Sequence, residues 1–231
     1  MARLTAPDRL ARLAAAATES FARVGYRRTR TDQVAAAAGM SAGALFNYVD
    51  SKEALFHLVF LVGFSELEGT PALPLHVADV GDTIDLIKRG LGRAAKSPRL
   101  DAAARTDDPG DAGEELEGVV VEMFTMLSRT WPLLAVIERS AADIPELEAY
   151  YFGRGRTGRR RQLEQYVARR VASGHFRASL DSVVAARFLL ETVTWFAWHR
   201  REDRDAELYD DERALAGLST LLRDALVAPG S

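Results

Sequence analysis

The sequence contains no cysteine. Disulfide bonds, zinc ribbons, iron–sulfur clusters and thiol catalysis are therefore excluded. No apolar run approaches the ~18 residues that a membrane-spanning helix needs. The first twenty residues carry charges throughout and lack the uninterrupted apolar core of a signal peptide. These absences predict a cytoplasmic protein that has no membrane partner.

Histidine is scarce as well. The chain has four, at positions 57, 76, 175 and 199, and no two stand at the spacing of a helical metal-ligand pair. The stretch 153–158 has the glycine spacing of a dinucleotide-binding loop, but it lacks a surrounding strand–helix–strand pattern and arginines follow it. The sequence does not reveal a nucleophile paired with a base. We therefore expect no metal, no cofactor and no catalytic residue, and the protein is not predicted to be an enzyme.

The composition is that of a globular protein. Hydrophobic residues make up 48% of the 231 residues and charged residues 27%, which suits one large domain or two small ones. The net charge of −3 is unevenly divided, since residues 1–52 carry +4 and the remainder carries −7. A basic N-terminal segment on an acidic body suggests that the segment meets a polyanion.

The first helix is predicted from its ends and its periodicity. Thr5 and Asp8 are placed as a capping box, and an apolar stripe at helical spacing runs from Leu10 to Val24. Gly25 follows the stripe at the position of a left-handed cap.

Helical periodicity continues through the body of the chain, and no alternating strands appear. A loop is expected over residues 98–113, and Pro132 is expected in the first turn of a new helix. The predicted body helices cover about 53–64, 81–96, 116–127, 145–171, 181–200 and 211–227. The fold class is therefore predicted to be all-α.

A helix-turn-helix fits residues 31–49. Two short helices can cross steeply where a small side chain lies at the crossing, and Ala35 supplies it. Gly39 permits the positive φ that the turn needs, and Ser41 can cap the second helix. In this motif the second helix enters the major groove of DNA.

An ordered set of motifs in the same region resembles the DNA-binding domain of TetR-family transcriptional regulators. The resemblance is carried by Phe21-Ala22-Arg23-Val24-Gly25-Tyr26, by Val34-Ala35-Ala36-Ala37-Ala38-Gly39-Met40-Ser41, and by Leu45-Phe46-Asn47-Tyr48-Val49-Asp50-Ser51-Lys52-Glu53-Ala54-Leu55-Phe56. It implies a three-helix helix-turn-helix domain over residues 1–52. It also implies a helical ligand-binding and dimerisation domain over residues 53–231.

The resemblance further implies a DNA-contacting surface. The second helix of the motif resembles a recognition helix, in which Gly43 lets the backbone approach DNA and Asn47 can pair with adenine. Lys52 resembles a phosphate contact at a helix N-terminus. The predicted DNA-binding residues are Arg27, Arg28, Thr29, Arg30, Thr31, Ser41, Ala42, Gly43, Ala44, Phe46, Asn47, Tyr48 and Lys52.

This sequence departs from the family pattern at four positions. Ala42, Ala44, Phe46 and Val49 stand where longer, more polar or larger side chains are common. Few long polar side chains remain on the predicted recognition helix. Base readout is therefore expected to depend on Asn47, on thymine-methyl contacts and on DNA shape.

The predicted helix at 181–200 is apolar around too much of its circumference to have a single buried face. Either one face packs on its own chain while another meets a partner, or the helix is fully buried in one subunit. The helix at 211–227 carries a leucine stripe. With the family resemblance, these patterns predict a homodimer interface at Val184, Phe188, Trp195, Leu215, Leu218 and Leu222.

Aromatic and flexible apolar residues on the middle helices are candidates for a small-molecule pocket. Core packing is the competing explanation for each of them. The candidates are Leu91, Met123, Phe124, Leu127, Trp131, Ile137, Tyr150, Tyr151 and Trp195. The effector is expected to be a largely apolar small molecule.

Together these features predict a homodimeric repressor of the TetR type. It would leave a palindromic operator in double-stranded DNA when a small molecule binds the C-terminal domain. Two alternatives stay open at this point: a DNA-binding regulator without an effector, and an all-helical enzyme.

Overall fold

The computed structural model describes residues 5–67, 71–203 and 209–230, and these residues form helices without a β-strand. The helices are α1 (Ala6–Arg28), α2 (Thr31–Ala37), α3 (Ala42–Leu45), α4 (Lys52–Gly63), α5 (Val80–Ala94), α6 (Pro98–Ala103), α7 (Ala112–Ala141), α8 (Pro145–Glu148), α9 (Thr157–Ala172), α10 (Ser182–Ala197) and α11 (Asp211–Leu226). A π-helical segment, Ala149–Arg156, precedes α9, and a 3-10 helix, His199–Glu202, follows α10. The predicted all-α fold class is confirmed.

The chain divides into two compact units. The first unit comprises residues 1–94 and 132–152, and the second comprises residues 95–131 and 153–231. Helix α7 contributes its C-terminal part to the first unit and the rest to the second. The two compact units do not divide the chain between residues 52 and 53, where the boundary between the two functional domains is expected. That boundary stays a prediction.

Helix α1 begins as predicted. The Thr5 hydroxyl accepts a hydrogen bond from the Asp8 amide, and the Asp8 carboxylate accepts one from the Thr5 amide. Gly25 has a φ of +81°, but the helix resumes after this kink and reaches Arg28. A Cβ at position 25 would lie 2.6 Å from the Arg139 carbonyl oxygen of α7, so this close approach requires glycine.

An aromatic cluster joins α1 to α4 in the first unit. The Phe56 ring lies 5.1 Å from the rings of both Phe21 and Phe60, in edge-to-face geometry. The chain of rings continues to Phe64, which packs directly against the backbone of Gly90 in α5. Helix α4 therefore connects the N-terminal helices to α5.

Helix α7 differs from the sequence expectation. It runs without interruption through Pro132, so the predicted new helix at Pro132 is wrong. Pro132 removes one backbone donor, and packing around the helix outweighs that loss. By length and hydropathy α7 could also cross a membrane, whereas the sequence was expected to contain no such segment. More than half of the apolar part of α7 is buried, as in the core helix of a globular protein.

The loop expected over residues 98–113 is partly helical. Helix α6 occupies its beginning, with Pro98 at the first helical position and Leu100 fully buried. The composition of this stretch indicates a loop, and it does not indicate that Leu100 is buried in the core.

The second unit has a buried ion pair in its core. Arg170 of α9 is fully buried and donates to both carboxylate oxygens of Glu115, at 2.7 and 2.8 Å. It also donates to the carbonyl oxygens of Ala103 and Thr106. This one side chain therefore connects α9 to α7 and to the chain that leaves α6.

Candidate DNA-binding surface

The helix-turn-helix is formed by α2, a turn and α3. Gly39 in the turn has a φ of +73°, and the Ser41 hydroxyl accepts a hydrogen bond from the Ala44 amide, so both residues have the conformations that the sequence predicts. Ala35 and Leu45 are fully buried and fix the two helices to the core. The motif is thus held from inside, and its outer face consists of other residues.

The outer face of α3 and the turn after it is exposed. Ala42, Gly43 and Asn47 are exposed, while Ala44 and Tyr48 are half-buried. A Cβ at Gly43 would meet no atom within 4 Å, so packing within the chain does not require glycine there. Phe46 exposes 46% of its surface, which is unusual for so large an apolar residue and fits contact with a partner.

Thr29 does not fit its predicted role as a phosphate contact. It is buried, and its hydroxyl donates to the Gly25 carbonyl at 2.8 Å. The threonine thereby satisfies a carbonyl at the kink of α1. Thr31 begins α2 and is half-buried, so it is the more accessible of the two threonines.

The basic residues near the end of α1 have different partners. Arg27 is exposed, and its Nε lies 3.6 Å from the Asp143 carboxylate. Arg28 is exposed and donates to the Val24 carbonyl. Arg30 pairs through two hydrogen bonds with Asp32, and this guanidinium lowers the pKa of the Asp32 carboxyl.

Lys52 connects the start of α4 to the end of α1. Its Nζ donates to the Arg27 carbonyl at 3.0 Å and lies 4.9 Å from the centre of the Tyr26 ring. Partial burial lowers the pKa of the Lys52 ammonium. The Tyr26 hydroxyl in turn donates to Glu53 at 2.6 Å. The predicted phosphate contact therefore also has a structural role.

Two arginines of α1 that were not predicted as DNA-binding residues lie beside the helix-turn-helix. Arg9 donates from Nη1 to the Tyr48 hydroxyl at 3.0 Å. The guanidinium of Arg12 lies against Gly39, where a Cβ would be 3.1 Å from Nη2. The signal was present in the sequence, because residues three apart on a helix share a face.

The chain after α4 returns to the end of the helix-turn-helix. The Leu75 amide donates to the Tyr48 carbonyl at 2.8 Å, and the Asp50 amide donates to the Leu75 carbonyl at 3.1 Å. His76 Nδ1 lies 2.5 Å from the Asp50 carboxylate, and this contact lowers the pKa of Asp50. The sequence gives no local signal for this pairing, since a single bridge leaves no strand pattern.

Residues 13–59 match the model of the family described as bacterial regulatory proteins, tetR family. The chain has a TetR-type N-terminal helix-turn-helix. The match spans α2 and α3 and includes the aromatic cluster of α1 and α4, the same region in which the motifs resemble the family. The match makes this N-terminal region similar to that of bacterial regulatory proteins.

Solved structures of TetR-family regulators share the fold of the whole chain. The regulator PfmR from Thermus thermophilus matches with a TM-score of 0.53 and 21% identity, over 96% of this chain and 97% of PfmR. AibR in complex with isovaleryl coenzyme A and operator DNA matches with a TM-score of 0.52 and 19% identity, over 93% and 97%. SmeT from Stenotrophomonas maltophilia in complex with triclosan matches with a TM-score of 0.52 and 21% identity, over 96% and 92%. The comparison with curated proteins found no similar sequence.

Helix α10 has two apolar faces, as expected. Leu189 and Val193 are fully buried on one face, whereas Val184 and Phe188 expose 66% and 49% of their surface on another. Trp195 is exposed on the same helix. The alternative of a helix fully buried in one subunit is therefore wrong.

The leucine stripe of α11 lies differently from the prediction. Leu218 and Leu222 are each 1% exposed, so they pack within their own chain and are not available to a partner. Leu215 is half-buried, and Leu221 is 65% exposed. Leu221, which the prediction omitted, is the apolar side chain that α11 presents to the outside. An amphipathic pattern identifies a buried face but not what buries it.

The predicted pocket residues are divided between the two compact units. Leu91, Ile137, Tyr150 and Tyr151 belong to the first unit, where the Tyr151 hydroxyl donates to Glu138 at 3.3 Å. The remaining candidates belong to the second unit. Of these, Met123, Phe124 and Leu127 are buried. Trp131 is half-buried, and Trp195 is exposed.

Proposed function

We propose that the protein is a homodimeric repressor whose two recognition helices bind a palindromic operator and whose C-terminal domain binds an apolar small molecule that releases the DNA. The observation that carries the proposal is the exposed face of α3 with its flanking basic side chains. In this proposal residues 1–52 act as the DNA-binding domain and residues 53–231 as the ligand-binding and dimerisation domain.

The DNA contact is supported by the exposure of side chains that have no packing role. Asn47 is exposed at the end of the recognition helix and can offer both a donor and an acceptor to a base edge. Gly43 leaves the backbone open to close approach. Phe46 offers an apolar surface to a thymine methyl group. Arg28 extends into solvent and suits a phosphate contact, and the exposed Arg27 would exchange Asp143 for a phosphate.

Dimerisation is supported by the exposed apolar face of α10. Val183, Val184, Phe188 and Trp195 are large apolar residues that remain exposed on this one helix, and Leu221 is exposed on α11. Several large apolar residues exposed on one helix are typical of a protein interface. A two-fold pairing of α10 and α11 would bury these residues and give an assembly with two recognition helices, one from each subunit, as a palindrome requires.

Effector binding is supported by the apolar middle of the second unit. Met123, Phe124 and Leu127 are spaced along one face of α7 and are buried. Methionine and aromatic side chains adapt to apolar ligands of different shape. The triclosan and isovaleryl coenzyme A named for SmeT and AibR are suitable first probes.

Selection of bound sequences from random duplex DNA tests the DNA contact and the symmetry together. We expect enrichment of an inverted repeat whose half-sites are separated by one helical turn, about 34 Å, or a multiple of it. Failure to bind or enrich any duplex at low ionic strength would contradict DNA binding. Enrichment of a single, asymmetric site would contradict the dimer.

Release of the selected duplex tests the effector. Triclosan and isovaleryl coenzyme A are titrated into the complex while fluorescence anisotropy reports the bound DNA. Release at a concentration that also changes the emission of Trp131 supports an effector in the C-terminal domain, with a Trp131→Phe variant to assign the signal. Binding that leaves the DNA complex intact would contradict the coupling of the two sites.

The substitution Phe188→Asp tests the dimer interface. A carboxylate in place of an apolar contact at the centre of a two-fold interface is expected to shift the protein to a monomer in sedimentation and to lower operator affinity with it. Val121→Asp changes an exposed apolar residue of α7 instead and serves as the control. A Phe188→Asp protein that remains dimeric would show that α10 is not the interface.

A further inference from the structure

A basic groove lies between α1 and the helix-turn-helix. It has a volume of about 280 Å³. It is lined by Arg9 and Arg12 of α1, by Gly39 and Met40 of the turn, and by Asn47. The proposed base-reading side chain and two arginines therefore share one groove.

The two arginines lie apart from the carboxylates of this region. Among the residues that the structure describes, no acidic side chain forms an ion pair with Arg9 or Arg12. The acid next to them in sequence, Asp8, is hydrogen-bonded to Thr5 at the start of α1. Two adjacent unneutralised guanidinium groups repel each other on a helix face, and an anion that binds both removes the repulsion.

The groove is built to hold Arg9 in one orientation. Its guanidinium donates one hydrogen bond to the Tyr48 hydroxyl at 3.0 Å, and Arg9 is half-buried. Arg9 keeps further N–H donors for a ligand, because a guanidinium has five. Arg12 is exposed and lies against the backbone of Gly39. A phosphate accepts from planar guanidinium groups in a two-pronged geometry, so a phosphate group is the anion that best suits the pair.

We propose that Arg9 and Arg12 bind a backbone phosphate of the operator in this groove and thereby set the register in which Asn47 meets the bases. The proposal rests on the proposed DNA binding and adds to it a contact made by α1. The phosphate neutralises the arginines, and Tyr48 keeps Arg9 beside the recognition helix. Asn47, which lines the same groove, is then placed relative to a fixed point on the DNA backbone.

The salt dependence of DNA binding tests the phosphate contact. The duplex is the one recovered by the selection from random DNA, and affinity is measured for the wild type and for Arg9→Gln/Arg12→Gln over a range of potassium chloride concentrations. Each lost phosphate contact is expected to reduce the slope of log K against log salt by about 0.9, and hence by about 1.8 for a symmetric dimer. The affinity at fixed salt is expected to fall by about tenfold for each lost charged contact.

Arg105→Gln is the matched control, because it removes an exposed arginine of the second unit. It should leave the slope unchanged. The single variant Arg12→Gln guards against misfolding, since Arg12 is exposed and makes no hydrogen bond to the described chain. It should fold with the wild-type melting temperature and still show a reduced slope.

The register is tested by combining these changes with Asn47→Ala. If the groove positions Asn47, the loss of affinity on Asn47→Ala should be several-fold smaller in the Arg9→Gln/Arg12→Gln background than in the wild type. An equal loss in both backgrounds would overturn the register assignment. An unchanged salt slope in the arginine variants, with the wild type binding normally, would overturn the phosphate contact. A wild type that binds no duplex would instead overturn the proposed function.

Discussion

Helices α1 and α9 each contain five arginines, but these arginines have different partners. In α9, three of them pair with carboxylates of the same unit: Arg160 with Glu164, Arg169 with Asp107 and Arg170 with Glu115. Of the five arginines of α1, Arg27 alone has a carboxylate partner in the part of the chain that the structure describes. The same residue type is thus used for folding in one helix and left for a partner in the other.

This difference has a physical consequence for DNA binding. A guanidinium already paired with a carboxylate must break that pair before it can bind a phosphate, whereas an unpaired one exchanges only water and counterions. Helix α1 therefore retains its charge for a polyanion although the whole chain is acidic, with a net charge of −3. The three paired arginines of α9 contribute little to an external field because acids lie beside them.

Among the substitutions that test this difference between α1 and α9, the largest effect is expected at Arg170, on the stability of the fold. The substitution Arg170→Met leaves Glu115 as an uncompensated charge of which only 15% of the side chain is exposed, and it removes the donors to two backbone carbonyls. We expect the free energy of unfolding to fall by roughly 3–5 kcal/mol. Urea denaturation measures this loss.

Arg161→Met is the control for Arg170, because Arg161 is an exposed arginine of the same helix. Its effect on the free energy of unfolding should stay within about 0.5 kcal/mol. Equal stability of the two variants would show that the arginines of α9 do not stabilise the fold, and the contrast with α1 would be lost.

The sequence predicted the features that depend on local geometry. Positive φ at Gly25 and Gly39, the cap at Ser41 and the capping box at Thr5 follow from the side chains themselves. The buried side of each predicted helix in the N-terminal domain also follows from spacing, because there is one core for it to enter.

The sequence could not predict features that depend on distant neighbours. Pro132 lies within α7, although proline removes a helical hydrogen bond and its local pattern favours a helix start. Leu218 and Leu222 form an apolar stripe that fits either a partner or the chain itself, and only the tertiary structure distinguishes the two. Thr29 has a typical hydroxyl for a phosphate contact, but a kink at Gly25 provides a nearer acceptor.

A smaller effect, and one confined to DNA affinity, is expected at Asn47. The exposed side chain makes no contribution to the core, so Asn47→Ala should leave the melting temperature unchanged. The affinity for the selected duplex should fall by about 1–3 kcal/mol, because a hydrogen-bonded base contact is lost. Gln165→Ala, an exposed amide of α9, is the control and should change neither quantity. Unchanged operator affinity of Asn47→Ala would exclude Asn47 from base readout.

The smallest effect is a dependence of stability on pH in the unit that contains α1. His57 of α4 is half-buried, and its Nδ1 lies 2.9 Å from the Thr83 hydroxyl of α5. Burial is the main cause that lowers the pKa of His57. Arg89 lowers it further, whereas Asp82 and Glu66 raise it. The folded protein therefore favours the neutral ring of His57.

The sign of the effect follows from proton binding. Below about pH 6.5, where an unperturbed histidine titrates, the unfolded chain binds a proton that the folded chain still excludes. The contribution of His57 to stability is thus complete above this pH and is lost as the pH falls toward its lowered pKa. In His57→Asn the amide can still hydrogen-bond to Thr83 but does not titrate. Between pH 7.5 and pH 5.5, about one unit either side of the ordinary histidine pKa, His57→Asn should therefore lose less stability than the wild type. Urea denaturation at both pH values measures this loss. His175→Gln is the control, because it removes a histidine and retains His57. An identical loss in the wild type and in His57→Asn would show that His57 is protonated equally in the folded and the unfolded chain.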